Sequence, residues 1–302
     1  MKMLRLLGYV FFFLISFIFL TYWMFPYDSL KERLVTLIEQ QMGSQVEVSL
    51  ESLKPSFITG IKLKKLKMYF NDGSNKFEVM NIPQASARLS LLSTLFASPH
   101  FTFSVELGGG EIDGDATLAG STIDLDLDFD AVNISAIKVL ASRYGLQLGS
   151  SIDGNISLKV DQQRWIRSTG SVDLDFRSLE LKESEFKLDE GGIPLPAVVF
   201  AKGRASGLKA KIVRGSLNVE KFLFEGGDLG LDLKGRVGFG DSVESTRFDL
   251  DGMFNPSTKL SDALPFLFIV QKQKRPDGSY PLSISGRGAR PSIKIGTFSV
   301  AL

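Results

Sequence analysis

Hydrophobic positions follow three rhythms along the chain, with boundaries near residues 27 and 43. From Leu6 to Tyr27 there are 22 consecutive residues without a charge, and Phe11, Phe12, Phe13, Ile15, Phe17, Ile18, Phe19 and Leu20 make the run apolar all round. Such a helix spans about 33 Å, enough for a bilayer core of about 30 Å. Lys2 and Arg5 precede it, which sets the tail in the cytoplasm, and Tyr22, Trp23, Phe25 and Tyr27 crowd the far end like an interfacial belt. A cleaved signal peptide wants small residues just after its apolar core. The first alanine in the chain is Ala85 and the exit is bulky, so residues 1–27 are expected to form an uncleaved anchor.

The second rhythm is helical and short. Leu30, Leu34, Leu37, Ile38 and Met42 fall on one stripe, Asp28 stands where a cap belongs, and Gly43 stands where a left-handed stop belongs. Residues 28–43 therefore read as an amphipathic linker helix that packs on the end of whatever follows.

After Gly43 the period becomes two and stays two through residues 44–302. Val46, Val48 and Leu50 alternate with polar neighbours. Ile58–Phe70 is a long strand pattern with one slip at Lys64–Lys65, and Asn71-Asp72-Gly73 is a turn. Lys76–Met80, Ala85–Leu89, His100–Leu107 and Ser121–Asp130 follow. A helical pattern at Ile134–Tyr144, ending on Gly145, interrupts them. Strands resume at Gly154–Val160, Gly170–Arg177, Leu208–Ile212, Gly215–Phe224, Asp228–Phe239, Thr246–Met253 and Ser292–Ile295. The strongest breaks are at 191–196 and 275–278.

A few short helices cannot cover a sheet of this size. A mainly β fold is expected, with a large antiparallel sheet folded over on itself as a groove or a sandwich. Its apolar face would carry Ile123, Leu125, Leu127, Phe129, Val172, Leu174, Phe176, Leu229, Leu231, Leu233, Val237, Phe239, Phe248 and Leu250. In a sandwich these residues are core. In a groove they line a surface able to shield acyl chains.

Composition removes most chemistry. The chain has no cysteine and one histidine, which excludes disulfides, thiolate catalysis and cysteine or multi-histidine metal sites. Its 35 basic and 34 acidic residues leave a net charge of +1, with no pull toward nucleic acid. Neither Gly-x-Ser-x-Gly nor a phosphate-binding Gly-x-x-x-x-Gly-Lys-Ser/Thr loop occurs, and Gly108-Gly109-Gly110 reads as a turn. Asp124, Asp126, Asp128 and Asp130 fail as a calcium loop, because Phe129 stands sixth and Ser135 twelfth where glycine and glutamate are needed. They read as the wet face of a strand. Lys62, Lys64, Lys65 and Lys67 read the same way, with anionic headgroups as the alternative partner. Asn133-Ile-Ser135 and Asn155-Ile-Ser157 match the glycosylation sequon. No cofactor, no metal and no catalytic residue are expected, and the protein reads as a non-enzyme.

A likeness is carried mainly by the first 70 residues. The uncharged run leads directly into Phe25-Pro26-Tyr27-Asp28-Ser29-Leu30-Lys31-Glu32-Arg33-Leu34. Glu47-Val48-Ser49-Leu50-Glu51-Ser52-Leu53-Lys54-Pro55-Ser56 and Gly60-Ile61-Lys62-Leu63-Lys64-Lys65-Leu66 follow. This resembles the bacterial type II secretion system protein N (GspN) family and, more distantly, the AsmA-like proteins. The first resemblance implies a single-pass inner-membrane protein with its bulk in the periplasm, working as an accessory beside other secretion-system components. The second implies a periplasmic β-groove that binds or transfers lipid.

Overall fold

A computed structural model describes residues 8–9, 11–13, 16–17, 19–20, 24, 26–43, 45–56, 59–71, 75–91, 93, 98–188, 191–203, 205–240, 245–263, 270–288 and 290–301. Much of the expected anchor, including Ile15 and Ile18, lies outside them. The described residues between Gly8 and Met24 are helical, and the large ones are exposed, Phe12 by 70% and Met24 by 77%. Among the described residues no helix is long and apolar enough to cross a membrane.

Helix α1 (Tyr27–Met42) is followed by β1 (Val46–Ser56), β2 (Gly60–Asn71), β3 (Lys76–Leu89), β4 (His100–Leu107), β5 (Gly110–Ala119) and β6 (Thr122–Val132). A short 3-10 turn (Ile134–Ala136) and helix α2 (Val139–Tyr144) lead to β7 (Leu148–Asp161) and β8 (Thr169–Leu181). Next come a separate hairpin of β9 (Ser184–Leu188) with β10 (Gly191–Leu195), then β11 (Val198–Lys202), β12 (Gly207–Val213), β13 (Ser216–Phe224), β14 (Leu229–Gly238) and β15 (Arg247–Pro256). Helix α3 (Thr258–Ala263) precedes β16 (Tyr280–Arg287), β17 (Arg290–Ile295) and β18 (Phe298–Ala301). Sixteen strands form one sheet in chain order, apart from β11, which pairs with the second half of β8 while β12 takes the first half. Every pairing is antiparallel. The mainly β expectation and its one large sheet with few helices hold.

Local chemistry explains the hairpins. Gly108 and Gly109 join β4 to β5 with φ of 64° and 86°, and Arg214–Gly215 join β12 to β13 with φ of 53° and 71°. Those left-handed pairs match the twist of antiparallel strands, and glycine takes them without strain. The slip at Lys64–Lys65 is also real. Lys65 has φ 50°, and the pairing passes from Leu50↔Leu66 to Ser52↔Lys64, so the inward parity flips in β1 and β2 together.

Several expectations need correcting. Asp28 does not cap α1: the helix starts one residue earlier after Pro26, with no side-chain cap. Gly43 does have positive φ (96°), but its ψ of 161° makes it an extended exit rather than a left-handed stop. Leu37 and Met42 are exposed, because the packed arc of α1 is Tyr27, Leu30, Leu34, Val35 and Ile38. Leu37 sits at the margin of that arc, and Met42 lies at the helix end. The helical pattern at 134–144 splits into the 3-10 turn and α2, although Gly145 is left-handed as its position implies (φ 74°, ψ 4°).

The covering elements gather at one end of the strands. Helix α1 packs on Val48, Leu50, Leu53, Leu66 and Met68 of β1 and β2. Beyond it, Ile137 bridges to Met80 of β3, Lys138 donates its N–H to Val79 O, and Lys138 Nζ pairs with Glu78 at 2.8 Å. Leu260 of α3 buries Leu181 and Val198, and Val270 packs on Phe254 and Tyr280. Phe176, Phe200, Phe222 and Phe224 form an aromatic cluster there, with the Phe222 and Phe224 rings 4.9 Å apart. Among the described residues the opposite end of the apolar face is less covered: Phe101 and Phe239 are 41% and 39% exposed.

Candidate functional site

The strand registers combine into rows that cross the entire sheet. One row runs Leu53, Leu63, Ala85, Val105, Ile112, Phe129, Gly154, Leu174, Leu208, Phe222, Leu233, Gly252, Leu282, Ile295 and Phe298, each residue directly opposite the next. Every member is apolar or glycine. A second row, two residues further along, runs from Pro55 and Ile61 through Leu127, Val172 and Leu250 to Val300, again without a polar member. A third passes from Leu89 and Phe101 through Leu125, Val237 and Phe248 to Pro291. At about 4.8 Å per strand and 3.3 Å per residue, the band is about 70 Å across the strands and about 20 Å along them.

The fourteen apolar candidates all take places on this face. Phe129, Leu174 and Leu233 belong to the first row, Leu127, Val172 and Leu250 to the second, and Leu125, Val237 and Phe248 to the third. Ile123 lies one step toward the end opposite α1, α2 and α3, facing Leu118 and Val160. Phe239 follows β14 at that end and donates its N–H to Gly215 O. Phe176, Leu229 and Leu231 lie toward the covered end, opposite Ile152, Pro256 and Phe254. Coverage is uneven: Phe176 and Leu233 are buried, Phe239 is exposed, and the other eleven are half-buried. Glycine supports the close approach of strands within the band. A Cβ on Gly154 would lie 2.1 Å from Asp173 O, and one on Gly252 only 1.8 Å from Asp232 O.

Sequence reasoning missed strands β5, β9, β10, β11, β16 and β18, and with β5 the inward Ile112, Gly114, Ala116 and Leu118. The alternation is present in β5, but two of its four apolar positions lack bulk. Phe103 fills the gap across the pair, since a Cβ on Gly114 would lie 2.3 Å from its ring.

The other face is polar, as read from Ser121–Asp130: Asp126, Asp128 and Asp130 are exposed. Carboxylates stand directly opposite one another at Glu111↔Asp130, Asp113↔Asp128 and Asp115↔Asp126. Lys159 and Lys209 meet Asp124 and Asp173 at 3.3 and 2.9 Å, and the Asp173 carboxylate holds the Lys209 ammonium above its ordinary pKa. Lys65 bonds Glu51 at 2.8 Å and lowers its pKa. No three acidic or histidine side chains among the described residues are arranged to hold a metal ion. His100 lies between Thr117 Oγ1 (2.9 Å) and Asp115 Oδ1 (3.3 Å). That trio has nucleophile, base and carboxylate, but it lies on the polar surface of a paired sheet. The ladder uses the backbone N–H groups that an oxyanion hole would need, so the histidine serves as a cross-strand pin. A concavity of about 620 Å³ beside the β9–β10 hairpin is lined by Glu183, Ser184, Glu185, Lys187 and Leu195, and its Ser184 hydroxyl is engaged by the backbone, donating to Lys182 O at 2.6 Å and accepting the Gln147 N–H at 3.1 Å. The apolar band is therefore the feature with functional content. No protein-family model matches the chain, and neither a curated protein nor a solved structure matches it.

Proposed function

We propose that the sheet curves about its apolar face into a trough that shields lipid acyl chains, and that the protein is a non-catalytic, membrane-anchored lipid-binding or lipid-transfer protein. One observation carries this reading: register-matched apolar rows cross the sheet, and eleven of the fourteen apolar candidates on that face are only half-buried. Apolar surface of that extent is a liability in water unless a ligand or partner occupies it. The half-buried Leu125, Leu127 and Val172 support a trough over a closed sandwich, whose inner faces would bury them as deeply as Leu233. The uncharged Leu6–Tyr27 run supplies the anchor, with its N-terminus cytoplasmic and the sheet in the bacterial periplasm. Helix α1 then joins anchor to trough by packing on β1 and β2.

Full-length protein carrying a photo-crosslinking residue at Leu125 or Phe248 should capture lipid in membranes, whereas the same residue at Asp126, on the polar face, should not. Equal capture at 125 and 126, or none at any site, would remove the reading. A periplasm-active reporter fused after Asp28 should be active, and the mature N-terminus should be retained. An accessory role in type II secretion rests on the likeness of the first 70 residues alone. It predicts that deletion of the gene lowers export of folded proteins across the outer membrane.

A further inference from the structure

Like charges directly opposite on neighbouring strands repel, with Cβ atoms about 4.5–5.5 Å apart. At the end of the strands opposite α1, α2 and α3 this happens twice in succession: Arg247 of β15 faces Arg287 of β16, and Arg287 faces Arg290 of β17. All three are exposed on the polar face, in its last row, where Arg287 and Arg290 flank the β16–β17 turn. Among the described residues none of the three makes an ion pair. The nearest carboxylate one step inward, Asp249, is opposite Arg236, and the next, Asp251, is opposite Lys234. Arg164 and Arg167 in the β7–β8 connection and Arg214 in the β12–β13 turn stand at the same end. Phe248 and Pro291, the neighbours of Arg247 and Arg290 in sequence, belong to the third apolar row.

We infer that Arg247, Arg287 and Arg290 form a binding site for a phosphate-bearing anion. On the trough reading above, on which this step rests, that anion is the headgroup of an amphiphile whose chains lie along the apolar band. Three guanidinium forks on adjacent strands offer parallel N–H donors to phosphate oxygens, and an anion among them relieves the repulsion that the bare sheet carries. The site lies in the last row of the polar face, at the strand ends, so a headgroup held there passes its chains around the β16–β17 turn onto the apolar face, pointing toward the covered end.

The test uses full-length protein in detergent with three probes: short-chain phosphatidic acid, phosphatidylcholine of the same chains, and inorganic phosphate. The wild type should bind phosphatidic acid at least about tenfold more tightly than phosphatidylcholine, with the excess competed by phosphate. A triple variant R247Q/R287Q/R290Q should bind both lipids at the phosphatidylcholine level. Equal binding in the wild type, or a preference that survives in the triple variant, would overturn the inference and leave the trough intact. Phosphate bound by the wild type but not the triple variant, with neither lipid taken up, would overturn the trough and retain the anion site. Binding of no probe would overturn both.

Discussion

Truncating two leucines of the same apolar band to alanine should have unequal costs, and the difference measures how open the band is. Leu233, in the first row between Phe222 and Gly252, is 3% exposed. Its replacement removes nearly all of a leucine's burial and leaves an enclosed void, which costs about 3 kcal/mol. Leu127, in the second row between Gly114 and Ile156, is half-buried. Its truncation loses about half the transfer free energy and leaves no closed cavity, because the space opens outward, so the cost is about 1 kcal/mol. The gap of about 2 kcal/mol is roughly a thirtyfold difference in the unfolding equilibrium. Urea titration of the full-length protein and both variants in the same detergent measures it directly. Equal losses near 3 kcal/mol would mean that the band is closed like a sandwich core, and the trough argument would fail.

Three further outcomes follow from local geometry. Gly252→Ala should destabilise by more than about 3 kcal/mol, because its Cβ would meet the Asp232 and Leu233 backbone at 1.8–2.9 Å. Gly114→Ala should cost only about 1–3 kcal/mol, since there the Phe103 and Leu127 side chains can turn aside; paired thermal melts rank the two. Asp153 is mostly buried, accepts the N–H of Ala131 (φ 51°) at 3.1 Å and meets Arg177 Nε at 2.6 Å. Asp153→Ala should therefore lower stability by about 1–3 kcal/mol in a urea titration, whereas Asp126→Asn on the open polar face should stay within about 0.5 kcal/mol. The Asp277 carboxylate accepts the Ser279 hydroxyl and N–H, which lowers its pKa below the ordinary 3.8. Its contribution is present above 3.8 and lost as pH falls through the lower folded value, so an NMR carboxyl titration should give a midpoint below 3.8 that rises in Ser279→Ala.

The sequence by itself determined the strand class, the two faces and most of the band. Side-chain period is a local property: Ile123 to Phe129 alternate with aspartates whatever the neighbouring strands do, and Lys65 announces its parity slip by breaking that alternation. Failure came where a position carried little side chain or a strand was short. Gly114 and Ala116 hid β5, because an apolar face can be completed by a partner's ring as well as by its own residue. The hairpin and β11 were missed because five-residue strands give too few alternations to count. Only the tertiary structure decided the rest. Register across fifteen strands aligns the apolar residues into unbroken rows, and no local pattern fixes which residue faces which. The gathering of α1, α2 and α3 at one end is equally non-local, and so is the difference in cover that leaves Leu233 buried and Leu127 half open. The three arginines illustrate the same division, because they are separated by forty residues or by a turn and become a cluster only when β15, β16 and β17 pair.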